Sequence, residues 1–99
     1  EVLGARLEAG LESALADAGR TGCVQRVGSM ITLFFTDGPV KALDDIPPSA
    51  VEQFGAFWRA MRAGGVYLPP SQYEAWFISA AHDEGIIDQT VEVARRALA

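Results

Sequence analysis

The chain has 99 residues, 49% of them hydrophobic and 21% charged, which is ordinary globular usage: it excludes disorder, and no apolar run approaches the length of a spanning helix. Eight basic residues against thirteen acidic ones leave a net charge of −5, so neither nucleic acid nor an anionic membrane surface is an expected partner. One cysteine, Cys23, permits no internal disulfide and fits a reducing, cytoplasmic setting, while a start at Glu1-Val2-Leu3 without methionine predicts a piece of a longer protein.

Leu3, Leu7, Leu11 and Leu15 recur every four residues, and Arg6, Glu8, Glu12 and Asp17 occupy other faces. That pattern predicts an amphipathic helix over Val2–Ala18, closed by Gly19 and Gly22. Cys23–Val27 and Met30–Thr36 are rich in β-branched and large apolar residues and read as two strands separated by Gly28-Ser29, or as one long strand bent at Gly28. The near-continuous hydrophobicity of Met30–Phe35 predicts that both faces of the second strand are covered. A long polar loop follows, holding Lys41, the only lysine, close to Asp44 and Asp45.

Ser49 with Glu52 has the spacing of a capping box, which predicts a second helix over Ala50–Ala63. Val51, Phe54, Trp58 and Met61 form its expected apolar stripe, widened by Phe57. Beyond Gly64-Gly65, Val66–Leu68 reads as a short strand, Pro69-Pro70 interrupts it, and a further strand is expected over Glu74–Ala80. The last helix is expected over Glu84–Leu98, with Asp83 as N-cap, a buried stripe of Ile87, Val91, Ala94 and Leu98, and Glu92 able to pair with Arg95 or Arg96. The order α-β-β-α-β-β-α predicts an α+β fold, a small, mostly antiparallel sheet with helices packed on one face.

Few residues offer chemistry. The single histidine, His82, lacks the partners of a catalytic triad, and His82, Asp83 and Glu84 are too crowded in sequence to converge on a metal. No phosphate-binding glycine motif is present. Lys41 has acidic neighbours in a loop, the reverse of what activates a Schiff-base lysine. Arg26 could clamp a carboxylate, but pairing with an acid across the sheet is the simpler reading, and Cys23, without a basic partner, reads as a small buried hydrophobe. Glu74 stands apart: it follows a proline-stiffened turn and is the only charge among Tyr73, Trp76 and Phe77. Desolvation there would favour its neutral form unless a cation meets it. From spacing alone it is either a strand-end glutamate at the surface or part of a site.

Two stretches carry a resemblance: Val24-Gln25-Arg26-Val27-Gly28-Ser29-Met30-Ile31-Thr32-Leu33-Phe34-Phe35-Thr36, and Gly65–His82 with Pro-Ser-Gln-Tyr-Glu-Ala at Pro70–Ala75. Together they resemble the C-terminal part of the glutamate-1-semialdehyde 2,1-aminomutase family, a branch of the class III aminotransferases that depend on pyridoxal 5'-phosphate (PLP), and the likeness spans essentially the whole chain. Trp76 stands where the family is expected to carry glycine, and Pro69-Pro70 where Ala-Pro is more usual.

The resemblance implies a PLP-dependent isomerase, a cytoplasmic homodimer that converts glutamate-1-semialdehyde to 5-aminolevulinate for tetrapyrrole synthesis. Residues 1–99 would be its C-terminal small domain, of the kind found in fold-type I PLP enzymes. The cofactor's lysine and phosphate cradle would lie in a larger domain outside this chain, so the 99 residues alone should bind no cofactor and be inactive. Glu74 matches the family's substrate-facing glutamate. Two alternatives stay open at this stage: the C-terminal domain of a class III transaminase, and a stand-alone α+β binding or oligomerisation module.

Overall fold

The computed structural model describes residues 2–27, 30–41, 45–68, 76–77 and 83–99. Helix α1 spans Val2–Ala18 and buries Gly4, Leu7, Leu11, Ala14 and Leu15, the side that the leucine spacing marks out. Leu3, one turn out, is only partly buried. The helix stops at Gly19, whose φ of 66° lies in the left-handed region that glycine reaches without a Cβ clash, and the Arg20 amide donates to the Leu15 carbonyl at 3.0 Å.

Strands β1 (Cys23–Val27) and β2 (Met30–Phe34) pair antiparallel, with Val24 opposite Leu33 and Arg26 opposite Ile31. The β2 ladder ends at Phe34, two residues short of the expected Thr36. From there the chain bends back over β1, and the Val40 amide donates to Gln25 Oε1 at 2.6 Å, so the backbone turns to a side chain instead of prolonging the ladder. Coverage of β2 is also less complete than expected: Ile31, Leu33 and Phe34 are buried, but Met30 is exposed beside its still more exposed partner Val27.

Helix α2 runs over Pro48–Ala63, and Pro47 occupies the N-cap without a side-chain cap. The expected capping box does not form. Proline has no amide proton and a backbone angle already suited to a first helical turn, so the helix starts before Ser49 and leaves its hydroxyl inside the first turn. The earlier start goes with a rotated stripe: Ala50, Phe54, Phe57 and Met61 are buried, Val51 is exposed and Trp58 only partly covered.

Val66–Leu68 joins no ladder among the described residues, contrary to the expected strand. The chain entering it is drawn back to α2 instead: the Gly64 amide donates to Ala60, that of Gly65 to Arg62 and that of Val66 to Met61, all at about 3 Å. Gly65 permits this return with a φ of 92°. Of the strand expected over Glu74–Ala80, Trp76 and Phe77 form β3, paired antiparallel to β2 with Trp76 opposite Ile31; the remainder lies outside the described residues. The sheet order is β1-β2-β3.

Helix α3 spans Glu84–Leu98 and starts as expected, with Asp83 Oδ1 accepting from the Ile86 amide at 2.8 Å. Ile87, Val93, Ala94 and Leu98 are buried, and Val91 packs at the margin against α1. Arg95 pairs with Asp17 of α1, a neighbour in space, where the sequence pointed to Glu92 on its own helix. Val24, Ile31, Leu33 and Trp76 share one sheet face by register and join the apolar sides of all three helices in a single core. The class is therefore α+β with helices on one face of an antiparallel sheet, as expected.

Candidate functional site

Glu74 lies outside the described residues, as do the other members of 69–75 and His82. The described structure supplies the frame on both sides of that segment. On the N-terminal side, the indole N–H of Trp58 donates to the Leu68 carbonyl at 2.9 Å. Trp58 is itself held: the Arg62 guanidinium lies 5.5 Å from its ring centroid, one turn further along α2. With the three backbone bonds of Gly64, Gly65 and Val66, residues 64–68 are fastened to the end of α2.

On the C-terminal side, Trp76 is 4% exposed and stacks on Phe57 with ring centroids 6.4 Å apart and planes 10° from parallel. Phe57 meets Phe35 edge-on at 5.5 Å and Phe54 at 6.3 Å, so it joins α2 to the sheet through four aromatic rings. The Trp76 indole N–H is buried and has no hydrogen-bond partner among the described residues. Leu68 and Trp76, the described residues that bracket 69–75, are thus both anchored on α2.

The other candidates resolve structurally. Arg26 pairs with Glu8 of α1 at 3.0 Å, partly buried, in keeping with the pairing reading. Cys23 is half-buried, its thiol 3.6 Å from Gln25 Oε1, and burial pushes its pKa up, which opposes a thiolate nucleophile. It lines an open groove of 460 Å³ with Glu12, Leu15, Arg20 and Gly38. Arg20 itself is occupied by Gln53 at 3.0 Å and by the face of Phe35.

Asp83 serves as the α3 cap, and no group of three metal-ligating side chains occurs among the described residues. No helix among them is long and apolar enough to cross a membrane. Lys41 is exposed, and its own amide donates to Asp45 Oδ2 at 2.9 Å. A lysine that forms a Schiff base needs desolvation or a cationic neighbour, and this loop offers an acid. The described residues therefore do not fit a PLP site.

Sequence reasoning assigns Trp58 no role beyond a place in the apolar stripe. A signal for more was present, since a tryptophan packed against a core must still find an acceptor for its indole N–H. Which carbonyl it finds depends on the fold of residues 64–68.

No family model matches the chain. It is 57% identical over all 99 residues to a glutamate-1-semialdehyde 2,1-aminomutase of Sorangium cellulosum and 52% identical over all 99 to one of Thermomicrobium roseum. The chain spans 23% of the length of each of these relatives. Among solved structures, an omega-transaminase from Sphaerobacter thermophilus superposes with a TM-score of 0.84 at 24% identity, over 98% of this chain and 22% of that one. The PLP internal aldimine form of the FumI protein from Sphingopyxis sp. MTA144 superposes with a TM-score of 0.75 at 28% identity, over 98% of this chain and 20% of that one.

Proposed function

We infer that this chain belongs to the glutamate-1-semialdehyde 2,1-aminomutase family and forms the C-terminal small domain of such an enzyme. The observation that carries this reading is the 57% identity maintained from the first residue to the last. The whole enzyme would isomerise glutamate-1-semialdehyde to 5-aminolevulinate, moving an amino group within one carbon skeleton. It is read as a cytoplasmic homodimer.

PLP in the whole enzyme would supply the electron sink that amino-group transfer requires. Holding it falls to residues outside this chain, in keeping with the surroundings of Lys41. This chain's contribution is Glu74. Its carboxylate would accept hydrogen bonds from an amino group of the substrate and hold that group in place, a gain in both orientation and charge complementarity. The anchored flanks at Leu68 and Trp76 support such a role, because a positioning group is effective only when its own backbone is restrained.

The test uses the full-length enzyme: 5-aminolevulinate should be released from glutamate-1-semialdehyde with no amino acceptor added. The likeness to an omega-transaminase favours a second reading, a class III transaminase acting between two substrates. A strict requirement for an added acceptor would select it.

A further inference from the structure

The register of β1 and β2 sets Cys23, Gln25 and Val27 beside Phe34, Thr32 and Met30 on the sheet face turned away from the helices. An antiparallel sheet with one face in water alternates apolar residues inward with polar residues outward. These strands do not. On the outward face Cys23, Val27, Met30 and Phe34 are apolar, and no residue is charged. Arg26, the only charged residue of the two strands, lies on the inner face, tied to Glu8 of α1.

One end of the outward face is covered by this chain itself. Beyond β2 the backbone turns back across β1: Gly38 lies so close over Cys23 that an added Cβ would collide with the thiol, and the Val40 amide donates to Gln25 Oε1. Phe34, opposite Cys23, is buried yet stands outside the core that the helices form. The other end is bare. Val27 is 78% exposed and its partner Met30 is 42% exposed, side by side on adjacent strands. A lone exposed apolar side chain is ordinary, but an adjacent pair on an uncharged sheet face has the makeup of a contact surface. The outward sides of α1 and α3 differ, since they carry the exposed pairs Arg6–Asp88 and Arg95–Asp17.

Two candidates could cover this end, a second copy and the remainder of the same enzyme. The two strands are five residues long, so together they present a face of roughly 10 by 17 Å. That is far below the roughly 800 Å² per partner that a stable dimer buries. A domain of the same polypeptide is held nearby by the chain and needs no such area. The chain spans 23% of the length of its relatives, so most of such an enzyme lies outside it.

We propose that the outward face of β1 and β2, at the end marked by Val27 and Met30, is where the larger domain of the same enzyme chain docks, with an apolar, uncharged surface. The proposal rests on the reading of this chain as the small domain of a longer enzyme. It accounts for the hydrophobic run of Met30–Phe35, which calls for cover on both faces where this chain supplies one cover and part of the other.

The first test uses the full-length holoenzyme without substitution. Hydrogen peroxide oxidises a methionine sulfur where it can reach it, and Met61, fully enclosed in the core, is a built-in reference. With the larger domain docked, Met30 should form its sulfoxide at a rate within about threefold of Met61, read by mass spectrometry of the peptides. A larger ratio overturns the proposal.

A photo-crosslinker identifies the occupant. With p-benzoylphenylalanine in place of Val27 in the full-length enzyme, irradiation should join position 27 to a peptide outside residues 1–99 and leave the product at the mass of one chain. A product of two chains makes the occupant a second copy, and crosslinks confined to residues 1–99, or none, leave the face bare; each overturns the proposal. Failure of the underlying reading looks different: the full-length protein would then release no 5-aminolevulinate, whatever the reactivity of Met30. A fast Met30 in an enzyme that does release it strikes the docking surface alone.

Discussion

The rings of Phe57 on α2 and Trp76 on β3 lie 10° from parallel with centroids 6.4 Å apart, and Phe57 is 1% exposed at the centre of that aromatic group. It is the side chain through which α2 grips the sheet. Truncation of a buried aromatic of this size costs about 3–5 kcal/mol, transfer and cavity terms together. Phe57→Ala is therefore expected to lower the unfolding free energy of the chain by that amount, read from the shift in denaturant midpoint at constant m-value. A loss below about 1 kcal/mol, the scale of a surface substitution, would show that the aromatic group does not hold α2 in place.

Helices α1 and α3 pack closely at Gly10, where an added Cβ would stand 2.5 Å from Val91 Cγ2. In an open helix glycine to alanine gains about 1 kcal/mol. Here the added methyl meets a β-branched side chain with little rotamer freedom. Gly10→Ala is expected to destabilise, and Gly10→Ala combined with Val91→Ala to recover most of the loss. Thermal unfolding of both variants decides it: a stabilising Gly10→Ala contradicts the close approach.

The Arg6 guanidinium donates from Nε and Nη2 to the two carboxylate oxygens of Asp88 at 2.7 and 2.8 Å, joining α1 to α3 at the surface. That hydrogen bonding holds the Asp88 carboxyl below the usual carboxylate range. A depressed folded value means that the unfolded chain binds the proton more readily. The stabilisation is thus present above the unfolded aspartate value of about 3.9 and disappears as pH falls through the folded value. Asp88→Asn should be less stable than the parent at pH 6 and equal to it well below pH about 3. The difference at pH 6 should shrink in high salt, because the pair is exposed. A difference that persists in strong acid would exclude this origin.

In the full-length enzyme, Glu74→Gln should lower kcat while leaving thermal stability unchanged. The amide keeps the shape of the carboxylate and removes its charge, and loss of one charge-assisted hydrogen bond corresponds to roughly a tenfold effect or more. Steady-state kinetics beside a melting curve measure both, and unchanged kinetics remove Glu74 from the site.

Titration of the 99-residue chain with PLP should give no stoichiometric change in the cofactor's visible spectrum, since Lys41 is exposed beside Asp45. A one-to-one change abolished by Lys41→Ala would show that this loop lysine is reactive after all.

Periodicity and composition determined much of this protein. The leucine repeat of α1, the β-branched runs of β1 and β2 and the Asp83 cap of α3 are local patterns, each set by residues close in sequence, and each appears where the sequence places it, with β2 two residues shorter. Glu74 is singled out in the same way, as a lone charge in an apolar stretch and through a family-like motif, and it lies outside the described residues. Tertiary structure decided what local patterns cannot contain. The start of α2 was settled by Pro47 and Pro48 and not by the Ser49 box, and the stripe of that helix turned toward Phe57, which meets Trp76 on the sheet and Phe35 just past the end of β2.

Long-range partners followed the same rule. Arg26 found Glu8 and Arg95 found Asp17, because a charged side chain pairs with whichever acid the fold brings near and not with the nearest in sequence. Trp58 shows the division most plainly. The sequence requires its indole to find an acceptor, and only the return of residues 64–68 along α2 makes that acceptor the Leu68 carbonyl, at the start of the segment that carries Glu74.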